Sequence, residues 1–416
     1  MRQYPVILIV ACFCTVACNS RQAADPALQR GAYVWQREWT SAVSEAVVLN
    51  STQLDGIVPL AAEVEWDRSA AQVVETNIDW SALRRFNKCA IALRVSAIGK
   101  RQQMQHFPLA AVVTEARKLL SEARKQQVAV AELQLDFDCP GKELSSYAQL
   151  VATIRDEIRP CRVVLTTLPA WLDLDAFALL LRNCDSYVLQ VHSVPLLTSA
   201  ASWKICDAAM ARKWVKHAAA YKKPFAVALP TYRCIAGYTP TGQLLGLTMD
   251  SVQARWPPGT KVREVAANPD ELADLVREWQ KQHPSELREV LWYRLPIATD
   301  ARNWRFATFL AVVNGRRPQH RVDVISEGAN PVDLSISNHG EADERIDFQV
   351  IVKSVQPALA ADALRGWSAQ QNGTEIIFAA NRGETLHLHP GQSCNIGWLR
   401  FAAPTNFGCE LVRKID

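Results

Sequence analysis

The sequence predicts a (β/α)8 TIM-type barrel, an α/β fold, followed by a small antiparallel β-sandwich domain. Two observations lead to this fold class. Strand-like and helix-like segments alternate along residues 31–317, and after Gly315-Arg316-Arg317-Pro318 the chain changes to short strand-like runs separated by Gly, Asn and Pro. A chain of 416 residues with 49% hydrophobic side chains can bury a large barrel and an accessory unit. We therefore expect the barrel over residues 31–317 and the sandwich over residues 318–416.

The barrel strands are predicted from runs of apolar residues that alternate with polar ones or lie between turn-forming residues. In order, these runs cover residues 31–39, 56–65, 89–96, 130–138, 162–169, 186–193, 225–232 and 290–296. Apolar residues at helical spacing lie between several of them, at 109–127, 147–158, 208–221 and 269–283, and residues 303–313 are expected to form the closing helix. In the sandwich, the strand-like runs cover 332–336, 345–352, 375–378, 385–388 and 394–401.

The first residues are predicted to be a targeting segment rather than part of the fold. Arg2 supplies a positive charge, residues 6–10 are apolar, and small residues follow up to Cys18. Thr15-Val16-Ala17-Cys18 resembles the bacterial lipoprotein processing box, whose cysteine is acylated, so residues 1–18 are the expected signal peptide and 19–30 the tether. Cys12 and a plain secretory signal are the alternatives. Asn19 after the cysteine resembles the pattern of outer-membrane lipoproteins, which implies a location in the cell envelope, facing the periplasm.

Charge and cysteine content narrow the possible partners. A net charge of +4 with scattered Lys and Arg gives no basis for nucleic-acid binding. No CxxC pair or His-rich spacing indicates zinc, and we expect no cofactor or metal.

The even number of cysteines after Cys18 suggests disulfides in an exported protein. The candidate pairs are Cys161–Cys184, Cys206–Cys234 and Cys394–Cys409.

The fourth strand contains the most informative pattern. Its apolar residues alternate with Glu132, Gln134, Asp136 and Asp138. A barrel strand is buried on both faces, and buried carboxylates are costly unless they are paired or used. Asp136 and Asp138 are therefore the best candidates for an active site, the alternative being an edge strand with one face in water.

The other strands are expected to point polar residues into the barrel at their carboxyl ends, where ligands bind in this fold. With the apolar face outward, the inward residues are Tyr33, Trp35, Arg37, Ala61, Glu63, Glu65, Ala92, Arg94, Ser96, Gln134, Asp136, Asp138, Gln190, His192, Ala228, Pro230, Tyr232, Trp292 and Arg294. A buried ion-pair network that stabilises the barrel is the structural alternative.

The predicted chemistry is glycosidic cleavage, which uses a pair of carboxylates held in different protonation states. Asp138, nearest the mouth, is the candidate general acid or base, Asp136 would tune it, and Glu63 or Glu65 would be the second carboxylate. The expected substrate-binding residues are Trp35, Glu65, Arg94, Trp171, Gln190, His192, Tyr232, Trp292 and Arg294, with the tryptophans as stacking surfaces. Metal-dependent hydrolysis through Asp136, Asp138 and His192 is a further alternative.

Six segments carry a resemblance to a known family. They are Trp35-Gln36-Arg37, Leu133-Gln134-Leu135-Asp136-Phe137-Asp138, Thr167-Leu168-Pro169-Ala170-Trp171-Leu172, Val188-Leu189-Gln190-Val191-His192, Ala228-Leu229-Pro230-Thr231-Tyr232 and Trp292-Tyr293-Arg294-Leu295-Pro296. Together they resemble the bacterial domain-of-unknown-function family 3142 over residues 31–315. The resemblance implies a TIM-type barrel in exported proteins and brings no established activity.

The fourth strand is also distantly similar to that of chitinase-type glycoside hydrolases, which ends in Asp-x-Asp-x-Glu with the glutamate as the acid. Asp136 and Asp138 match the two aspartates, but Pro140 stands in place of the glutamate. The leading hypothesis is a lipid-anchored glycoside hydrolase that acts on a polysaccharide or oligosaccharide through Asp138. The alternative is a non-catalytic glycan-binding or envelope-assembly lipoprotein.

Overall fold

The computed structural model describes residues 27–67, 70–97, 104–192, 204–248, 255–364, 366–381 and 387–413. The predicted signal segment and Cys18 lie outside these residues. Up to residue 313 the strands are β1 (Gln29–Val34), β2 (Gly56–Trp66), β3 (Ala71–Glu75), β4 (Lys88–Ala97), β5 (Val130–Asp136), β6 (Arg162–Thr167), β7 (Ser186–Gln190), β8 (Phe225–Pro230), β9 (Arg233–Tyr238), β10 (Leu244–Thr248), β11 (Lys261–Ala266) and β12 (Leu287–Tyr293). The helices are α1 (Ser41–Asn50), α2 (Trp80–Leu83), α3 (Leu109–Lys125), α4 (Leu144–Glu157), α5 (Asp175–Arg182), α6 (Ala208–Ala219), α7 (Pro269–Lys281) and α8 (Phe306–Val313).

The parallel strands form a closed barrel, as predicted. Their order is β1-β2-β4-β5-β6-β7-β8-β12, and pairing of β12 with β1 closes the sheet. A helix follows each barrel strand, which gives the (β/α)8 fold. β3 is an antiparallel addition to β2. Two apolar layers result: one lies between the strands and the helices, and a smaller one fills the barrel interior with residues such as Tyr33, Ala92 and Leu291.

A β-bulge in β2 decides which of its side chains face inward. Leu60 pairs with Ala92 and Ala62 with Leu93, so β2 has one extra residue, Ala61, between them. Ala61 packs in the layer under the helices, and the inward prediction for it is wrong. Beyond the bulge, Glu63 is brought to the same side of the sheet as Leu60, and both line one cleft at the mouth.

An antiparallel sheet interrupts the barrel after β8. Its strand order is β10-β9-β11, and its buried residues Tyr232, Cys234 and Tyr238 pack beside Tyr293 of the barrel. Gly237 is required here, because a Cβ on it would lie 2.5 Å from the ring of Trp256. This sheet was not predicted from the sequence, and it adds a wall beside the barrel mouth.

The C-terminal region consists of antiparallel sheets, as expected. Its strands are β13 (Val322–Glu327), β14 (Val332–Asn338), β15 (Glu344–Arg345), β16 (Phe348–Ser354), β17 (Ala360–Ala363), β18 (Trp367–Asn372), β19 (Glu375–Ala380), β20 (His387–Leu388), β21 (Ser393–Arg400) and β22 (Phe407–Arg413). The sheets β13-β14-β21-β17 and β18-β19-β16-β22 share one apolar core, and β15 pairs with β20. Part of the predicted run 385–388 lies outside the described residues.

A buried ion-pair cluster joins the C-terminal sheets to the barrel. Arg233 of β9 contacts Asp343 at 2.5 Å, and Nδ1 of His389 lies 2.9 Å from the same carboxylate. Arg305, just before α8, lies 2.9 Å from the other ring nitrogen of His389. The cluster therefore ties the added sheet and the last barrel helix to one point of the sandwich.

The three predicted disulfides are absent among the described residues. Cys89, Cys139, Cys161, Cys184, Cys206, Cys234, Cys394 and Cys409 are all free thiols. Cys161 and Cys184 are buried in the apolar layer behind the strands, where small apolar side chains fit, so their thiols pack in the core and form no bridge.

In the described part of the chain, no helix combines the length and hydropathy that a membrane span needs.

Candidate active site

The polar residues of β5 and its extension rise through the barrel interior in a row. Gln134 is buried in the interior and accepts a 2.6 Å hydrogen bond from the Tyr33 hydroxyl. Asp136 ends β5, and its Oδ1 accepts a 2.7 Å hydrogen bond from the Thr166 hydroxyl of β6. Asp138 follows at the mouth, where its side chain is exposed. The row therefore leads from a buried amide to a carboxylate that a ligand can reach.

Arg94 of β4 connects two carboxylates of neighbouring strands. Its Nη1 lies 3.7 Å from Oε1 of Glu63, and its Nε lies 3.9 Å from Oδ2 of Asp136. Arg37 also approaches Glu63, with 2.5 Å between its Nε and Oε2. Glu63 is only 5% exposed, so two guanidinium groups offset the cost of burying its charge.

The pKa values of the two aspartates are raised. Burial raises the pKa of Asp136 to about 6, and the charges of Asp138 and Glu63 act in the same direction. The Thr166 hydrogen bond and the charge of Arg94 oppose this rise. Partial loss of hydration raises the pKa of Asp138 too, against the charge of Arg94. Asp136 therefore keeps its proton to an unusually high pH for an aspartate.

Tyr293 lies at the centre of an aromatic group on the other side of the mouth. Its ring centroid is 5.3 Å from that of Trp35, 5.9 Å from Tyr232 and 5.2 Å from His192, whose ring is stacked on it. Burial lowers the pKa of His192 to about 4, so its imidazole is neutral at neutral pH. Nδ1 of His192 lies 3.5 Å from the Tyr232 hydroxyl.

An open cleft of about 800 Å³ connects the aromatic group to the Arg94 side of the mouth. Its lining residues are Trp35, Gln36, Arg37, Glu38, Thr40, Val43, Leu60, Glu63, Arg94, Tyr232, Tyr293, Arg294, Ile297, Thr299 and Asp300. Arg294 is held by Asp300, whose Oδ2 accepts hydrogen bonds of 3.0 Å from Nε and 2.6 Å from Nη2. Asp136 and Asp138 are not among these lining residues; Arg94, which lines the cleft, lies 3.9 Å from Asp136.

Five of the expected binding residues lie around this mouth. They are Trp35, Arg94, His192, Tyr232 and Arg294. Gln190 pairs with Ala228 in the strand register, which places it toward the barrel interior, although it does not line the cleft. Glu65 lies half-buried near the end of β2, beside Ser96, and outside the cleft lining. Of the two candidates for the second carboxylate, Glu63 is the one in the cleft.

Two tryptophans are not at the mouth, and their assignment as stacking surfaces is wrong. Trp292 is fully buried on the helix side of β12, where its ring contacts Trp304 and Phe309. Trp171 is 2% exposed and packs near Phe177 of α5. Both side chains fill the layer between strands and helices, where no sugar can reach them. Tyr293, one residue after Trp292, occupies the inward position.

The described residues offer no ligand set for metal-dependent hydrolysis. Among them, which include Asp136, Asp138 and His192, no three His, Cys, Asp or Glu side chains come together as a metal site. Cys139, which follows Asp138, is buried, and burial raises the pKa of its thiol to about 12.

Two family models match parts of this chain. Residues 92–298 match the model of the domain of unknown function DUF3142. The resemblance to this family is thereby confirmed, and five of the six segments that carried it lie inside the DUF3142 match. Residues 324–402 match a second model, the domain of unknown function DUF8456, which covers most of the C-terminal sheets. No curated protein matches the chain in sequence.

Solved structures share the barrel fold of the DUF3142 segment. The spore cortex-lytic enzyme SleL of Bacillus megaterium QM B1551 aligns with a TM-score of 0.50 and 12% identity, over 70% of this chain and 75% of that one. A chitinase from Chromobacterium violaceum ATCC 12472 aligns with a TM-score of 0.47 and 12% identity, over 70% and 99% of the two chains. The alignment with SleL confirms the predicted barrel fold.

Proposed function

We propose that the barrel mouth binds a carbohydrate chain and hydrolyses its glycosidic bonds. The observation that carries this proposal is the pair Asp136 and Asp138, in which one carboxyl keeps a proton to about pH 6 beside a second, exposed carboxylate. Glycoside hydrolysis needs an acid for the leaving oxygen and a carboxylate that supports the developing positive charge. Asp138 is the proposed acid or base at the substrate, and Asp136 tunes its protonation.

The active form is the pair with one proton. The electrostatic interaction between two carboxyls is mutual, so each holds its proton more tightly when the other is ionised, and the two titrate together. Below about pH 6 the pair keeps a proton to donate, and above it both members become charged. Glu63 is the proposed second carboxylate, held in place by Arg37 and Arg94.

The cleft supplies the binding surface. Trp35 and Tyr293 present aromatic rings to it, and the apolar faces of sugar rings pack well on aromatic side chains. Arg294, oriented by Asp300, and Tyr232 offer hydrogen-bond donors to hydroxyl groups. The proposed ligand is a polysaccharide or oligosaccharide that lies along the cleft with its scissile bond near Asp138.

A specific observation favours a second candidate, a glycan-binding protein without activity. Pro140 occupies the position at which chitinase-type barrels carry their acid, and the next glutamate along the chain, Glu143, lines a separate surface groove with Met104 and Ser146. No glutamate therefore replaces the missing acid at that place. If Asp138 does not act as the acid, the protein binds the glycan without cleaving it.

The test is a product assay with the full chain against bacterial envelope and storage glycans. Wild type should release sugar and Asp138→Asn should not, because the amide cannot donate or accept the proton. Asp156→Asn, an exposed change on α4, is the matched control and should keep full activity. Binding of the same glycans by a wild type that never releases product would support the second candidate.

We also propose that the protein is exported and anchored through a lipid on Cys18, in the outer membrane and facing the periplasm. The support is the processing box in the sequence alone. Labelling of cells with a radioactive fatty acid tests it. Wild type should incorporate label and Cys18→Ala should not, while equal labelling of the two would contradict the assignment.

A further inference from the structure

Basic residues that are scattered along the sequence gather at the amino-end face of the barrel, the end formed by the connections from each helix to the next barrel strand. In a (β/α)8 barrel these connections lie opposite the mouth. Several exposed arginines lie in them or directly beside them, and we call these the amino-end arginines. They are Arg84, Arg85, Arg124, Arg182 and Arg288. Among the described residues, none of them is paired with a carboxylate.

The carboxylates of the same face are neutralised by other basic residues. The exposed and half-buried pairs are Asp55–Arg30, Asp156–Arg159, Glu157–Arg117, Asp185–Arg155 and Glu286–Lys222. In the deeper pairs the acid lies inside: Glu289 and Glu132 are buried, whereas their partners Lys88 and Arg162 reach the surface. The amino-end arginines are therefore an excess of positive charge that faces solvent.

Stabilisation of helix ends explains only part of this excess. A basic side chain in the last turn of a helix interacts favourably with the helix dipole, and Arg124 and Arg182 lie in the last turns of α3 and α5. Arg85 lies in a connection and Arg288 in β12, so neither gains from a helix end. Exposed like charges repel one another, so their collection on one face points to an anionic partner outside the protein.

The start of the described chain lies at the same face. β1 begins at Gln29, and the side-chain oxygen of Gln29 accepts a 3.3 Å hydrogen bond from Nζ of Lys88, which opens β4. Residues 19–28 span at most about 35 Å when they are fully extended. A lipid on Cys18 would therefore hold the amino-end face, rather than the mouth, close to the bilayer.

We propose that the amino-end face docks on a bilayer that contains anionic phospholipids, with the amino-end arginines binding headgroup phosphates. This inference rests on the proposed lipid anchor and does not depend on the proposed glycan chemistry. A guanidinium group binds a phosphate through two parallel hydrogen bonds, and a basic patch strengthens the weak membrane attachment that a single lipid chain provides. The barrel strands run from this face to the mouth, so docking turns the cleft away from the membrane.

The test measures amide hydrogen exchange of the full, lipid-anchored chain on two kinds of vesicle. One kind contains phosphatidylcholine alone, and the other contains phosphatidylcholine mixed with anionic phosphatidylglycerol. On the anionic vesicles, amides in the connections 84–87, 126–129 and 220–224 should exchange more slowly than on the neutral ones, while those at the mouth, in 138–143, should not change. Salt at about 1 M should abolish the difference, because it shortens the screening length to about 3 Å.

A charge-neutralised variant identifies the groups responsible. Each arginine near an anionic surface strengthens docking about fivefold, so the combined changes Arg85→Gln, Arg124→Gln and Arg288→Gln should abolish the slower exchange. The matched control combines Lys142→Gln, Arg255→Gln and Lys261→Gln. It removes the same charge from exposed positions at the other end of the barrel and should behave as wild type. Both variants should unfold near the wild-type temperature, because all the changed side chains are exposed.

The outcomes separate the docking from the anchor. Equal exchange on the two kinds of vesicle by a wild type that floats with both would contradict the docking alone. Slower exchange that persists in the arginine variant would also overturn it, since the contact would then not depend on these charges. Failure of wild type to float with neutral vesicles would contradict the lipid anchor, and the docking with it.

Discussion

The Thr166 hydroxyl on β6 donates a 2.7 Å hydrogen bond to Oδ1 of Asp136 on β5. A hydrogen bond to the ionised carboxylate favours that form, so this bond works against burial, which raises the pKa of Asp136 to about 6. Arg94 acts in the same direction as Thr166 from β4. The pKa of Asp136 is therefore set by a balance between its buried position and two partners on the adjacent strands.

Thr166→Val should raise the pKa of Asp136 further, because valine fills the space but donates no hydrogen bond. A hydrogen bond to a charged group contributes about 1.5 kcal/mol, which corresponds to a rise of about one pKa unit. The measurement is a pH titration of the aspartate carboxyl carbons by NMR. Thr153→Val on the exposed face of α4 should leave the titration unchanged. An unchanged or lower pKa in Thr166→Val would contradict the balance described above.

Asp136→Asn should stabilise the protein at pH 7.5. A carboxyl with a higher pKa in the folded than in the unfolded chain favours folding below its ordinary pKa of 3.8 and loses that advantage as the pH rises through about 6. At pH 7.5 the buried charge then costs the folded state up to about 3 kcal/mol, which the neutral asparagine avoids. Denaturant unfolding at pH 7.5 and pH 4 measures this, and the difference should disappear at pH 4. A variant less stable than wild type at pH 7.5 would show that the charge of Asp136 is favourable in the fold.

Trp292→Ala should mainly lower the stability of the fold, whereas Trp35→Ala should mainly weaken glycan binding. Trp292 is fully buried under the helices, so its removal should lower the free energy of unfolding by about 3–5 kcal/mol. Trp35 is half-buried in the cleft wall, so its removal should weaken glycan binding with a much smaller loss of stability. Thermal unfolding and glycan titration of both variants check this. The opposite pattern would reverse the assignment of the two faces of the barrel sheet.

Asp343→Ala should weaken the junction between the barrel and the C-terminal sheets. Burial raises the pKa of Asp343, but the His389 hydrogen bond and the charge of Arg233 outweigh it and hold the pKa below its ordinary value. Such a group stabilises the fold above its unfolded pKa and loses this effect as the pH falls through the lowered folded pKa. Removing it leaves Arg233 buried without its nearest carboxylate, at a cost of about 3 kcal/mol at pH 7.

Unfolding of Asp343→Ala is measured against Asp323→Ala, which removes the carboxylate of an exposed ion pair with Arg321. The exposed change should cost less than about 1 kcal/mol. Equal effects of the two changes at pH 7 would mean that the buried cluster does not join the two regions.

Much of the barrel could be predicted from the sequence because its strands are marked by apolar alternation and its helices by apolar spacing. The same alternation in β5 identified Asp136 and Asp138 as inward carboxyls. It failed in β12, where Val290, Leu291, Trp292 and Tyr293 are all apolar or aromatic and give no sign of which face is inward. The structure resolves this through packing: Trp292 fits the space under α8, and Tyr293 fits the mouth.

The remaining parts of the site depend on features that alternation does not show. The bulge at Ala61 shifts β2 by one residue, and without it Glu63 would face the helices. Thr166 and Asp300 were not among the predicted site residues, because a single threonine in an apolar strand and a loop aspartate carry no pattern of their own. Their roles appear only where β6 lies beside β5 and the loop returns to Arg294.

The rate of glycan cleavage between pH 4 and pH 9, measured for wild type and Asp138→Asn, tests whether the Asp136–Asp138 pair performs the chemistry. If the singly protonated Asp136–Asp138 pair performs the chemistry, the wild-type rate falls as the pH rises through about 6, and Asp138→Asn releases no product at any pH while still binding the glycan. A rate that stays constant up to pH 8, or product release by Asp138→Asn at the wild-type rate, would contradict the account.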